Sequence, residues 1–230
     1  MYTSLRTIFV IAALFICSIT LNAQLVSTDI TNPGVTANTL VQNDLIGGGI
    51  VVSNVTTNIG LGASPQQFAR FTNGPAGSNL PFGTGVMLCT GYTSDFNNVG
   101  NNSTSFSSFN PAPPAGCFGG ICGPNDADLD NIVAPFTTFD AAVLEFDFVP
   151  LSDTVRFRYV FASEEYPEFA CADYNDAFAF FLSGPGIVGA PNIASIPGSV
   201  PPLPVAIKTV NPGVPGLSAS IPHTCVAPNG

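Results

Sequence analysis

Two neighbouring stretches of this 230-residue chain alternate apolar and polar positions. In the first, Ala142, Leu144, Phe146 and Phe148 alternate with Val143, Glu145, Asp147 and Val149. In the second, Val155, Phe157, Tyr159 and Phe161 alternate with Arg156, Arg158 and Val160. A period of two sends successive side chains to opposite faces of a strand. Pro150-Leu-Ser-Asp153 between the stretches has turn composition. A hairpin with Val149 opposite Thr154 is therefore predicted. Its register sets Asp147 against Arg156, Glu145 against Arg158, Phe146 against Phe157 and Leu144 against Tyr159. A slip of one residue spoils both faces, so the register is well specified. Each exposed ion pair contributes only ~0.2–1 kcal/mol. The four charged residues thus have a structural role, the fixing of register, before any catalytic one.

The rest of the chain reads the same way. No segment sustains a helical period; short β-branched and aromatic runs lie between Gly, Pro, Asn and Ser clusters. Strands are predicted at 50–55, at 85–91 between two glycines, at 178–182 and within 205–210. Residues 40–45 are the one short helix predicted. Residues 92–125 and 184–216 read as long Gly- and Pro-rich loops, and no internal repeat is present. The expected class is all-β.

The N-terminus is an address. Arg6 precedes an apolar run over 8–16, and Leu21-Asn22-Ala23 offers a small residue before Gln24. That is the pattern of a secretory signal peptide over 1–23, too short for a comfortable membrane span. Residues 24–230 are then one domain, with no other stretch apolar enough to cross a bilayer. Export suits the cysteines. Removal of Cys17 leaves Cys89, Cys117, Cys122, Cys171 and Cys225, which tend to pair in an oxidising compartment. Cys117 and Cys122 bracket a Gly-rich turn and make a candidate disulfide. The odd count leaves one thiol over. Zinc is disfavoured, with no CxxC pair and His223 the lone histidine.

Composition removes further classes. Only 9% of residues are charged and 46% are hydrophobic, with 19 Phe and no Trp, which excludes a coiled coil and charge-driven disorder. Five Lys and Arg against fifteen Asp and Glu exclude a nucleic-acid partner, because phosphate affinity needs clustered basic groups.

Twelve of the fifteen acids fall between Asp126 and Asp176, and two clusters remain once the hairpin is assigned. Asp126, Asp128 and Asp130 alternate in what reads as a loop, a donor pattern that suits Ca²⁺. It is no EF-hand, since Asn131 stands where Gly is needed and Thr137 where Glu is needed. The second cluster, Glu164 and Glu165 with Asp173, Asn175 and Asp176, flanks two predicted strands. Crowded like charges there call for a cation or hydrogen bonds. Solvated loops and turn caps explain both clusters equally simply. A glycoside hydrolase-like enzyme would pair Glu164, Glu165 or Glu168 with Asp176 across a bond. Adjacent Glu164 and Glu165 point to opposite faces if extended, and no GxSxG, HExxH or phosphate-cradling loop is present. A non-enzyme is expected.

Longer motifs carry a resemblance. They are Asp140-Ala-Ala-Val-Leu-Glu-Phe-Asp-Phe-Val-Pro150, Tyr159-Val-Phe-Ala-Ser-Glu-Glu-Tyr-Pro-Glu-Phe169, Asn175-Asp-Ala-Phe-Ala-Phe-Phe-Leu-Ser-Gly-Pro-Gly186 and Asn192-Ile-Ala-Ser-Ile-Pro-Gly198. Together with Leu45-Ile-Gly-Gly-Gly-Ile50, Ser53-Asn54, Gly85-Val-Met-Leu-Cys-Thr-Gly91 and Asp126-Ala-Asp-Leu129, they resemble the choice-of-anchor L domain over roughly 40–225. That family occurs in secreted and surface proteins of Bacteroidetes-type bacteria, often exported by type IX secretion. The resemblance implies a surface-displayed module and supplies no catalytic residues. The expectation is a jelly-roll-like β-sandwich, incomplete at its C-terminal end, secreted or displayed on the cell surface. Its function would be adhesion, binding of an extracellular glycan or protein, or a structural part of a larger surface protein, with Ca²⁺ as a candidate stabiliser.

Overall fold

The computed structural model describes residues 25–46, 50–77, 80–94, 123–163, 165–166, 169–172 and 174–211. The leader and the pairing of Cys117 with Cys122 lie outside them. The described residues form an antiparallel β fold with few helical turns. Strands β1 (Val26–Asp29), β3 (Phe68–Thr72) and β4 (Thr84–Leu88) form one sheet in the order β1-β3-β4. Strand β2 (Val51–Thr57) pairs with β5 (Leu144–Val149), and β6 (Ala177–Phe178) pairs with β7 (Val205–Ala206). No described helix is long and apolar enough to cross a membrane.

The core forms where the helical turn after β1 packs on the sheets. Thr36 caps the start of the Ala37–Thr39 turn, which continues as a π-helix over Leu40–Leu45. This is the helix predicted from sequence. Leu40 and Val41 are fully buried there. Val35, Leu40, Ala63 and Phe68 form the central cluster, with Val86 of β4 and Leu144 of β5 packed against it. One core thus joins the three-stranded sheet to β5. Full burial of a side chain such as Phe68 stabilises by roughly 1.5–3 kcal/mol. Asp44, on the same π-helix, receives Arg70 of β3, whose Nε lies 2.8 Å from both carboxylate oxygens. Phe71 lies directly over Gly85 of β4, and a Cβ there would come within 2.8 Å of the ring.

The described residues show no ladder between the two arms of the predicted hairpin. β5 forms where the alternation placed it, but its ladder partner is β2, with Ser53 opposite Asp147 and Thr56 opposite Glu145. A bulge between Ser53 and Thr56 puts Asn54 at a φ of 51°, a left-handed conformation that Asn tolerates. Asn54 Nδ2 then donates to Asp147 Oδ2 at 2.6 Å, and Thr56 Oγ1 donates to Glu145 Oε2 at 3.4 Å. The expected ion pairs with Arg156 and Arg158 are not made; the Arg158 guanidinium sits 4.9 Å from the Phe82 ring centroid instead. Strand β1, strand β3 and a helix over Ala127–Val133 were not legible in the residue pattern.

Two buried amides tie these pieces together. Gln67 is 1% exposed. Its Nε2 donates to the carbonyls of Asp140 at 2.7 Å and Cys89 at 3.1 Å, and its Oε1 accepts from Ser64 N–H at 2.8 Å. Asn58 Nδ2 donates to Ala141 O at 2.7 Å, and its Oδ1 accepts from Val143 N–H at 3.0 Å. Buried groups left unsatisfied cost about 1–3 kcal/mol each. Gln67→Leu strands several at once, so it is expected to lower unfolding stability by roughly 3 kcal/mol. Urea denaturation checks this: the midpoint should fall with an unchanged slope.

Candidate functional site

The first acidic cluster is the start of a helix, where a loop was expected. Asp126, at φ −125° and ψ 123°, is the N-cap of Ala127–Val133. Its Oδ1 accepts from the N–H groups of Asp128 at 3.1 Å and Leu129 at 2.9 Å. This is what an Asp at a helix start does: it satisfies donors that have no partner in the first turn. Asp128 lies exposed in that turn. Asp130 is one turn further on. Its Oδ1 accepts from Thr138 N–H at 2.6 Å and Thr138 Oγ1 at 2.7 Å, and its Oδ2 accepts from Asn125 Nδ2 at 2.8 Å. The Thr138 backbone bond, then the Thr138 hydroxyl and Asn125, hold the Asp130 carboxyl below its ordinary range. The alternation of Asp126, Asp128 and Asp130 therefore satisfies the chain's own donors at Asp126 and Asp130.

The second cluster sits where three segments meet. Ser163 Oγ donates to Asp176 Oδ2 at 2.7 Å and accepts from Glu165 N–H at 3.1 Å. Asn175 Oδ1 accepts from Lys208 N–H at 3.0 Å, and Asp176 O accepts from Ile207 N–H at 3.1 Å. Tyr166 donates its hydroxyl to Val210 O. Burial first, then the nearby negative charge of Asp176, push the Tyr166 hydroxyl above its usual range. The Lys208 ammonium lies 4.3 Å from the Phe136 ring centroid. So Glu165, Asn175 and Asp176 are brought to one junction, tying 163–166 and 174–176 to 207–210. Glu164, Glu168 and Asp173 lie outside the described residues. Among the described residues, no three His, Cys, Asp or Glu side chains gather in an arrangement suited to a metal ion.

A third acid was not singled out by sequence. Asp140 links the helix region to the core: its Oδ1 accepts from Gly123 N–H at 2.6 Å, while its carbonyl takes the Gln67 amide. It adopts a φ of 55°. The signal available in the sequence was weak, a lone Asp ahead of an alternating run. Burial raises its carboxyl above the ordinary value, partly offset by the Gly123 bond.

The chain matches the choice-of-anchor L domain over residues 29–229. It belongs to the choice-of-anchor L family. No curated protein and no solved structure matches it. The match runs from the last residue of β1 through β7 and takes in both carboxylate clusters, so the helix cap at Asp126 and the junction at Asp176 are parts of this choice-of-anchor L domain. A choice-of-anchor L domain is a surface-anchored module, and its family is not an enzyme family.

The raised carboxyl of Asp140 has a defined consequence. The folded chain holds this proton to higher pH than the unfolded chain does. Its contribution to stability is therefore full below the ordinary value of 3.8 and is lost as pH rises through the raised folded value. Above that folded value the fold carries a partly desolvated carboxylate. Asp140→Asn keeps an oxygen for Gly123 and suits the left-handed backbone. Calorimetry across the acid to neutral range should show this variant melting above the parent at neutral pH. The difference should vanish once the parent carboxyl is protonated.

Proposed function

We propose that this chain is an exported, surface-displayed, non-catalytic β module. It serves in adhesion or ligand binding, or as a structural part of a larger cell-surface protein, with an extracellular glycan or protein as its ligand. The observation that carries the proposal is the family match over 29–229. Two features support it. The residue pattern at 1–23 is that of a secretory leader. The carboxylates at Asp126 and Asp130 are held by capping and turn bonds, which leaves them a structural role. Type IX secretion in a Bacteroidetes-type host is the route that the family resemblance implies. Protease treatment of intact producing cells tests the display. The chain should be shaved away while a cytoplasmic marker survives; retention of the intact chain inside such cells would reject the proposal.

Calcium is carried into this proposal only for the second acidic cluster of the sequence, Glu164, Glu165, Asp173, Asn175 and Asp176. A ligand at a hundred times its dissociation constant stabilises the native state by roughly 2.7 kcal/mol. The melting temperature of the chain from residue 24 onward is therefore expected to be several degrees higher in millimolar Ca²⁺ than in EDTA. Asp176→Asn should remove that rise, while Asp126→Asn should leave it intact. A melt indifferent to Ca²⁺ would assign all these carboxylates to turns and caps.

A further inference from the structure

Residues 155–161 lie between two open sheet edges. They keep the strand-like alternation of their sequence, yet none of 155–162 makes a main-chain to main-chain hydrogen bond among the described residues. Their rings are nonetheless docked on both sides. Phe157 meets Phe148 of β5 edge-on at 6.4 Å between centroids. It also meets Phe180 at 4.5 Å, and Tyr159 meets Phe178 at 4.9 Å. The last two pairs step by two residues in opposite directions along the two segments. That is the register of neighbouring antiparallel strands.

The main-chain directions of the flanking segments agree. Asp176 O accepts from Ile207, Phe180 O accepts from Ile193, and Leu182 N–H donates to Pro191 O. Even-numbered residues here thus turn their amides toward β7 and 191–193. By strand alternation, Ala177, Ala179 and Phe181 turn theirs to the opposite edge. On the other side, Val143 exchanges bonds with Asn58 beside β2. The same alternation directs Leu144, Phe146 and Phe148 away from β2, toward 155–161. Open edges of this kind are templates for another strand. Side chains approach most closely at the non-hydrogen-bonded positions of an antiparallel pair. Phe157 with Phe180 and Tyr159 with Phe178 are the positions that this alternation makes non-hydrogen-bonded.

We propose that 155–161 is the central strand that joins the β2-β5 and β6-β7 ladders into one five-stranded antiparallel sheet. Arg158 pairs with Ala179, Val160 with Ala177 and Arg156 with Phe181, each exchanging main-chain hydrogen bonds. The chain then has two sheets, one of five strands and one of three, as a sandwich requires. This inference stands independently of the surface role proposed above.

Residue-resolved amide hydrogen exchange on the intact chain tests it. The amides of Arg156, Arg158, Val160, Ala177 and Ala179 should exchange roughly a hundredfold or more slower than an unstructured chain. Exchange at unstructured rates overturns the proposal. A cysteine pair then reads the register. Val155→Cys with Leu182→Cys occupies a non-hydrogen-bonded position and should form a disulfide, located by peptide mapping. Val155→Cys with Gly184→Cys should not. Cross-linking of the second pair in preference to the first overturns the register.

Discussion

The side-chain amide of Gln67 is the constraint on which the rest of this structure depends. It is buried between segments that lie far apart in sequence, and it fixes the carbonyls of Cys89 and Asp140 relative to each other. Its own backbone is fixed at the same time, through Ser64 on one side and Cys89 N–H on the other. A buried amide has no cheap alternative partner once water is excluded. The end of β4, the start of β3 and the entry to β5 are therefore locked into one arrangement. Asn58 repeats the device one step along, holding Ala141 and Val143 where β5 begins.

This choice of fastener follows from composition. A chain with so few cations cannot rely on ion pairs; among the described residues the one salt bridge joins Arg70 to Asp44. Amides, hydroxyls and aromatic rings take over. Asp126 and Asp130 cap and staple a helix, Asn54 holds Asp147, and Ser163 holds Asp176. Arg158 and Lys208 rest on the rings of Phe82 and Phe136. Each of these contacts sets a neutral partner, an amide, a hydroxyl or a ring, against a single charged group.

Asp140 shows how the same positions meet a competing demand. Its backbone serves the Gln67 clamp and its carboxylate serves Gly123, but the side chain is desolvated in doing so. The opposite case is Asp130, half-buried and held by three hydrogen bonds. Two carboxylates ten residues apart thus respond to pH in opposite senses, and their surroundings explain the difference.

The residue pattern by itself located most of the extended segments: β2, β4, β5, β7 and the turn over Leu40–Leu45 form where it placed them, whereas of the strand expected at 178–182 only Phe178 lies in β6, and 155–161 makes no ladder. It also carried the family resemblance. It did not determine partners. The alternation of β5 fits a neighbour at 155–161 and a neighbour at β2 equally well, because a period of two encodes faces and carries no address. The ladder to β2 was decided by the bulge at Asn54 and the Asn58 clamp, contacts across more than 80 residues. The acidic alternation at Asp126 was legible as a cluster, but its role was not. A carboxylate that caps a helix and one that binds a cation look alike until the backbone supplies, or withholds, the N–H groups that satisfy it.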